Sequence, residues 1–283
     1  MSERPLVSVI IPTYNRYAFL QEAVESVRSQ TFSDFEIIIV DDCSEDGTEE
    51  AFSGCADIRY VRLEERGFPS GARNRGAEAA QGGYIAFLDS DDLWNREKLE
   101  KQMEFFREHP GIRICHTDEQ WIRNGRKVNQ RKKHEKCGGY IFSRCLERCI
   151  ISPSAVCMEK RLFREYGGFD ETIEVAEDYH LWLRVTAREK IGFIPEKLTV
   201  KRGGHEDQLS AKYGQIEIFR IQALEKVLEG SVLSSSQKEE AAAELAKKYR
   251  IYAQGCFKRG KEKEGREYEE KAGKLERGTG DRI

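Results

Sequence analysis

Tyr84-Ile85-Ala86-Phe87-Leu88-Asp89-Ser90-Asp91-Asp92-Leu93-Trp94 is the stretch on which the reading of this chain turns. Its first half is a short, uninterrupted apolar run, the pattern of a strand covered on both faces in a parallel sheet. Its second half sets three carboxylates within four residues, where that strand should end. Carboxylates this close repel one another unless a cation neutralises them. Hard divalent ions take oxygen ligands, commonly one or two carboxylates together with substrate phosphates. Open α/β sheets bind ligands beyond the carboxyl ends of their strands. Position and chemistry therefore point together to a metal–diphosphate site. The competing reading is a solvated acidic turn in which Asp92 caps the next helix, and with such a cap role substitution of Asp92 would disturb metal-dependent binding less than substitution of Asp91.

Working outward from there, residues 6–11 form another near-continuous apolar run, broken by Pro12-Thr13-Tyr14-Asn15. Residues 17–29 carry Leu20, Ala23, Val24 and Val27 at helical spacing. Residues 35–40 predict a second buried strand ending in Asp41-Asp42, and residues 58–63 a third. Residues 72–81 predict a helix bearing Arg73 and Arg75, stopped by Gly82-Gly83; residues 95–109 predict the helix after the acidic turn. Strands and helices in alternation imply a parallel sheet with right-handed crossovers. No Gly-x-Gly-x-x-Gly follows the first strand and no Gly-Lys-Ser/Thr occurs, so the dinucleotide and P-loop readings fail. From residue 112 the pattern changes. Residues 112–116 and 121–128 read as strands with a hairpin at Asn124-Gly125, and residues 130–136 as an exposed basic loop. A helix is expected over 177–189 and further strands over 191–194 and 198–201. Past about residue 211 only helical periodicity remains, with a capping box expected at Ser236-Gln237-Lys238-Glu239. The expected organisation is an α/β domain over 1–210 and a helical appendage over 211–283.

Composition narrows the function classes. Charged residues make up 34% of the 283 residues, yet the net charge is only −3, so no strong field recruits nucleic acid. No apolar run reaches transmembrane length, and Met1-Ser2-Glu3-Arg4-Pro5 leads into the first strand without a secretory pattern. The expectation is a cytoplasmic protein, with the cytoplasmic face of the inner membrane as the alternative, reached by peripheral contact through Arg131-Lys132-Lys133. Eight cysteines occur without a Cys-x-x-Cys. Cys137, Cys145 and Cys149 lack zinc-finger spacing, and the reading is free thiols.

Several segments, in order, resemble family 2 glycosyltransferases. They are Val7-Ser8-Val9-Ile10-Ile11-Pro12-Thr13-Tyr14-Asn15-Arg16, Ile38-Ile39-Val40-Asp41-Asp42, Gly71-Ala72-Arg73-Asn74-Arg75-Gly76 and Asp89-Ser90-Asp91-Asp92. Glu177-Asp178-Tyr179-His180-Leu181-Trp182 and His205-Glu206-Asp207-Gln208-Leu209-Ser210 follow. The similarity spans roughly residues 5–210. It implies a GT-A fold, a nucleotide-sugar donor with a UDP-sugar favoured, a divalent Mn2+ or Mg2+ ion, and inversion at the anomeric carbon. It implies a mixed, mostly parallel sheet flanked by helices. Carried onto this chain, it places Tyr14 on the base, Asp42 on the base or ribose, Asp89 on the ribose and Asp91 on the metal. Pro12, Thr13 and Ser90 join the nucleotide-binding set, as does Arg73 as a phosphate or base contact. Gly167-Gly168 would form a loop at the donor sugar. His205 is the second metal candidate, since imidazole suits Mn2+. Asp178 is the expected general base, with Glu177 beside it to hold the acceptor or take its place.

The chemistry stands beside the resemblance. An aromatic ring stacks on any base without reading it, a carboxylate accepts from ring N–H or ribose hydroxyl groups, and a metal takes up the charge of a departing diphosphate. The acceptor would be a glycan, a lipid-linked sugar or a protein side chain, as in assembly of a cell-surface polysaccharide or glycoconjugate. The alternative from another class is a non-catalytic nucleotide-sugar or glycan-binding module with a helical protein-docking tail. A second acidic pair, Glu177-Asp178, argues for turnover, because a binding module needs no base.

Overall fold

The computed structural model of the chain describes residues 4–204 and 216–280. The first half is built as the apolar runs require. Strands β1 (Val7–Thr13), β2 (Phe35–Asp41), β3 (Ile58–Arg62) and β4 (Tyr84–Phe87) pair in parallel in the order β3-β2-β1-β4. Their side chains divide by parity. Ile10, Ile38, Val40, Ile85 and Phe87 enter one apolar layer, while Val9, Ile11, Ile37, Ile39, Ala86 and Leu88 enter the other. Both faces are covered, which is why the runs are continuous rather than alternating. Helices α1 (Tyr17–Arg28), α2 (Thr48–Phe52) and α4 (Lys98–Glu108) supply Leu20, Val24, Phe52, Leu99 and Phe106 to the second layer. Helix α3 (Phe68–Ala79) supplies Ala72 and Ala77 to the first.

Strand β1 does not stop at Pro12, as the sequence suggests. It continues to Thr13, with Pro12 opposite Val40 and Thr13 opposite Asp41. The reason is directional. Ile10 accepts from Leu88 on the β4 side, while Thr13 accepts from Asp42 on the β2 side. Pro12 therefore turns its missing N–H toward β4, whose pairing with β1 has already ended at Ile10 and Phe87. The extra residues carry Thr13 and Tyr14 to the rim of the sheet.

The second half adds strands to the β4 edge: β8 (Val156–Glu159), β6 (Ile114–Arg123), β9 (Gly192–Gly203) and β5 (Leu93–Trp94), with β7 (Arg126–Val128) on β6. β8 runs antiparallel to β4 and β6; β9 runs parallel to β6 and antiparallel to β5. The sheet is mixed, as expected. The Asn124-Gly125 hairpin forms with both residues at positive φ, 48° and 71°. Residues 191–194 and 198–201, read as two strands, belong to the single strand β9, whose register against β6 slips around Asp118. Helix α5 (Phe142–Glu147), helix α6 (Lys160–Glu165) and helix α7 (Glu177–Thr186) cover this half.

Three further expectations are corrected. Asp92 does not cap a helix: β5 intervenes, and α4 begins at Lys98 after Glu97. Lys136, assigned to an exposed loop, is buried, with its Nζ 3.0 Å from Glu119 and 2.6 Å from the Ile150 carbonyl. The capping box is formed two residues earlier, by Ser234 and Gln237. Gln237 is the N3 residue that can also reach the Ala187 carbonyl, at 2.8 Å.

Helices α8 (Ile216–Glu229), α9 (Ser235–Lys258) and α10 (Glu262–Gly280) complete the described chain. Ile221, Leu224, Val227, Leu245, Tyr249 and Tyr252 join the same apolar cluster as Tyr179, Leu181, Trp182 and Val185 of α7. The expected boundary near residue 211 lies outside the described residues. No helix among the described residues is long and apolar enough to cross a membrane.

Candidate active site

The carboxyl ends of β1, β2 and β4 and the start of α7 surround one cavity of about 610 Å³. Its wall holds Pro12, Thr13 and Tyr14 from β1 and its exit, Asp42 after β2, Arg73 from α3, and Asp89, Ser90, Asp91 and Asp92 after β4. Glu177 and Asp178 face it from α7. The described residues expected to bind nucleotide, metal or acceptor are thus gathered on one wall, across 166 positions of chain between Pro12 and Asp178, while Gly167 and Gly168 lie outside it. His205 lies outside the described residues.

The acidic turn is the centre of the charge arrangement. Asp89, Asp91 and Asp92 place carboxylate oxygens within 4.8 Å of one another. Asp89 accepts from Arg73 at 2.6 Å and Asp91 from Arg16 at 2.8 Å. Asp92 is almost fully buried and points into the protein. It accepts from Ser154 Oγ at 2.6 Å and the Arg202 N–H at 2.9 Å, with Lys201 Nζ at 3.5 Å. Burial pushes its carboxyl up to about 7, the neighbouring Asp91 and Asp89 add to the rise, and Lys201 opposes it. Ser154 also receives the Asp89 N–H at 3.1 Å, so one hydroxyl ties both ends of the turn. The turn thus divides its labour: Asp92 anchors it, while Asp89 and Asp91 remain open to the cavity.

Arg73 is the second organiser. Its buried guanidinium bridges Asp89 and Glu177, each at 2.6 Å, and so joins the end of β4 to the start of α7. Burial pushes the Glu177 carboxyl up to about 7 against the opposing pull of Arg73. Glu177 is therefore committed to a protein partner. Asp178 is less enclosed: its Oδ1 accepts from the Tyr179 N–H at 2.6 Å, and its Oδ2 accepts from the Cys149 thiol at 3.3 Å. Arg75 points away and pairs with Glu78 on the exposed face of α3.

The end of the cavity that holds Tyr14 and Asp42 is built by β1 and β2. Tyr14 is 39% exposed, against a buried Asp42. Asp42 accepts from the Gly67 N–H at 2.6 Å and from Arg66 Nε at 3.0 Å. The backbone here is held in uncommon conformations. Asn15, Cys43, Phe68 and Ala176 have φ of 49°, 67°, 56° and 67°, each costing on the order of 1–3 kcal/mol. Three of the four line the cavity, where fixed side chains repay that cost.

Sequence reading missed Arg16, Arg66, Ser154, Lys201, Arg202 and Arg220, which also touch this site. Arg16 closes the first motif, but the others sit where no local pattern marks them. Six basic and six acidic side chains share the cavity wall, so the site is near charge balance before any ligand enters. Thr13 Oγ1, Arg73 Nε and Arg202 Nη2 are buried donors without a partner among the described residues, which suits an oxygen-rich ligand. Gly167 and Gly168, expected at the donor sugar, cap α6 instead, donating to Arg164 and Phe163 carbonyls at 3.0 Å. All eight cysteines are free thiols.

The family model described as "Glycosyl transferase family 2" matches residues 8–167. A Rickettsia felis protein described as an uncharacterized glycosyltransferase is 40% identical over 199 residues, 69% of this chain and 33% of that protein. The chain thus spans about a third of that relative's length. An Escherichia coli protein, "UDP-Glc:alpha-D-GlcNAc-diphosphoundecaprenol beta-1,3-glucosyltransferase WfgD", is 31% identical over 191 residues, 67% of this chain and 73% of its own. Among solved structures, S. aureus TarS 1-349 in complex with UDP-GlcNAc superposes with a TM-score of 0.68 at 24% identity, covering 86% of this chain and 71% of that one. That likeness is one of fold.

Proposed function

The chain belongs to glycosyl transferase family 2, and from that premise we propose that it transfers a sugar, with inversion, from a nucleoside-diphosphate sugar to a hydroxyl acceptor. The observation that carries this reading is the meeting of Tyr14 and Asp42, the Asp89–Asp91 pair and Asp178 around a single cavity. Each end of that cavity suits one part of the reaction.

Tyr14 offers a stacking face and Asp42 an acceptor for a ring N–H. UDP-sugars are the favoured donors, in keeping with the UDP-linked names of the Escherichia coli relative and the S. aureus neighbour. In this reading Thr13, Asp89 and Ser90 serve the ribose and Arg73 and Arg202 the diphosphate; all five line the cavity. The carboxylates of the acidic turn suit a hard divalent ion, and Asp91 is its ligand in this reading, joined by the imidazole of His205, which suits Mn2+. Bound there, Mn2+ or Mg2+ would supply neutralisation of the charge on the leaving diphosphate.

Asp178 acts as general base. It takes the proton of the acceptor hydroxyl as that oxygen bonds to the anomeric carbon; the bond from that carbon to the diphosphate breaks, and its electron pair leaves on the nucleoside diphosphate. Such proton transfer contributes roughly 10²–10⁴-fold. Glu177 cannot share the role without surrendering Arg73. A lipid-linked, glycan or protein hydroxyl is the acceptor, in assembly of a cell-surface polysaccharide or glycoconjugate. The protein works in the cytoplasm or at the cytoplasmic membrane face.

The test is Asp178→Asn. Nucleotide binding with Mn2+, read by calorimetry, should match the parent, while transfer to a competent acceptor falls by two to four orders of magnitude. Near-parental transfer would place the base elsewhere and make Glu177 the next residue to replace.

A further inference from the structure

The face of Tyr14 and the carboxylate of Asp42 are already engaged, and by the same side chain. Arg66 lays its guanidinium carbon 3.3 Å from the Tyr14 ring centroid. Its Nε donates to Asp42 Oδ2 at 3.0 Å, while the Gly67 N–H next to it donates to Oδ1 at 2.6 Å. The Phe68 ring stands 5.5 Å away on the same loop, and Phe68 itself is held at a φ of 56°. All four side chains line the cavity. A guanidinium is planar, stacks on aromatic faces and presents N–H groups at its edge. It therefore fills, in shape and in hydrogen bonding, the position a nucleobase takes when it stacks on Tyr14 and donates a ring N–H to Asp42.

Two flat groups cannot occupy that slab together. Resting on the nucleotide reading given above, we infer that Arg66 is a built-in occupant of the base subsite, which the donor's base must displace. This makes Arg66 a specificity-determining residue acting through competition. A ligand that offers only phosphates leaves Arg66 in place and gains nothing from its release. A ligand that stacks without an N–H for Asp42 replaces only half of what Arg66 supplies. A nucleotide that does both exchanges one full set of contacts for another. The apparent affinity is lowered by the fraction of molecules in which Arg66 has left the site. The contacts broken are one cation–aromatic stack and one partly exposed ion pair, with the Arg66 side chain 40% exposed. Contacts of that kind correspond to a handicap of about 3- to 10-fold.

Calorimetry on the full chain separates the possibilities, using UDP with Mn2+ and, in parallel, inorganic pyrophosphate with Mn2+. Pyrophosphate reports the phosphate end and any general loss of positive charge. The ratio of UDP affinity to pyrophosphate affinity should rise about 3- to 10-fold in Arg66→Ala, and less in Arg66→Gln, which can still donate to Asp42. Because Arg66 is exposed, both variants should fold like the parent. A ratio that is unchanged or that falls in Arg66→Ala overturns the inference, a fall meaning that Arg66 holds the base rather than yielding to it. A parent that binds pyrophosphate but not UDP, or neither, overturns the nucleotide reading itself and this inference with it.

Discussion

Adjacent aspartates of the same turn carry opposite duties, and the difference lies in what each touches. Asp91 faces the cavity and Arg16; Asp92 turns inward to Ser154, the Arg202 N–H and Lys201. Asp92→Ala leaves a buried hydroxyl and a backbone N–H without acceptors, an expected loss of about 1–3 kcal/mol, readable in urea unfolding. Asp91→Asn keeps an oxygen that can accept from Arg16 at a position only 9% exposed, so it should cost less stability than Asp92→Ala. Its Mn2+-dependent UDP binding should disappear, because a hard cation loses a charged ligand. Undiminished UDP binding in Asp91→Asn would remove Asp91 from the metal. A sequence reading that treats Asp92 as a helix cap gives it the wrong partners, since β5 follows the turn and α4 begins only at Lys98.

At the level of elements, the seat of Arg73 depends on how closely α3 lies on the sheet. A Cβ on Gly76 would meet Ile10 Cγ2 at 2.3 Å and Val40 Cγ2 at 3.1 Å. Both neighbours are fully buried strand residues that cannot yield. Two residues away, Asn74 donates to the Phe169 carbonyl at 2.9 Å and accepts the Phe169 N–H at 3.0 Å, fixing the loop after α6 to the same helix. Gly76→Ala should therefore destabilise by roughly 1–3 kcal/mol, despite a helix-propensity gain of up to about 1 kcal/mol. It should also weaken donor binding, because lifting α3 draws Arg73 off Asp89 and Glu177. A thermal midpoint at or above the parent's would show that α3 has room to spare.

For the whole molecule, the helices after residue 216 bear on whether the catalytic layer is self-sufficient. Ile221, Leu224 and Val227 of α8 and Leu245 and Tyr249 of α9 are buried in one cluster with α7. Lys226 reaches Asp170 at 2.8 Å, and Lys248 reaches the Glu147 carbonyl at 3.2 Å. Removing these helices exposes apolar side chains whose burial is worth roughly 1.5–3 kcal/mol each, as one contiguous patch beside α7. A chain ended near Leu209, which keeps His205, should aggregate on expression. A soluble, UDP-binding product would mean instead that the helices are a docking unit. Acid sensitivity is the second whole-molecule property. Burial, reinforced by Lys136, lowers the His116 imidazole to about 4, and burial reinforced by Arg184 lowers that of His180 likewise. Unfolded imidazoles titrate near 6.5. Between pH 6.5 and about 4 the stabilising contribution of each neutral histidine therefore falls as pH drops, while Asp92 and Glu177, raised to about 7 by burial, contribute in the opposite sense over the same window. The slope is roughly 1.4 kcal/mol per pH unit for each histidine. His116→Gln, which can still donate to the Cys137 carbonyl, should flatten the acid side of a plot of thermal midpoint against pH; an unchanged slope would assign the acid sensitivity to other groups.

Local pattern in the sequence was enough for the parallel half of the sheet and the helix stripes, whereas the grouping of Tyr14, Asp42, Arg73, Asp91 and Asp178, which line one cavity, came from the family resemblance. Continuous apolar runs, turn residues at strand ends and carboxylates crowded into one turn are properties of neighbouring residues, and they survive being read in isolation. The partners were decided only by the tertiary structure. Arg73 bridges residues 16 and 104 positions away, and Asp92 is held from 62 and 110 positions away. Arg66 lies on Tyr14 across most of two β–α units. The identity of a charged side chain says that it needs a partner or water; which partner it finds depends on crossovers and strand order. The same holds for Pro12, whose place inside β1 rests on β4 ending its pairing at Ile10, and for the late helices, whose amphipathic stripe shows that something covers them but not that it is α7.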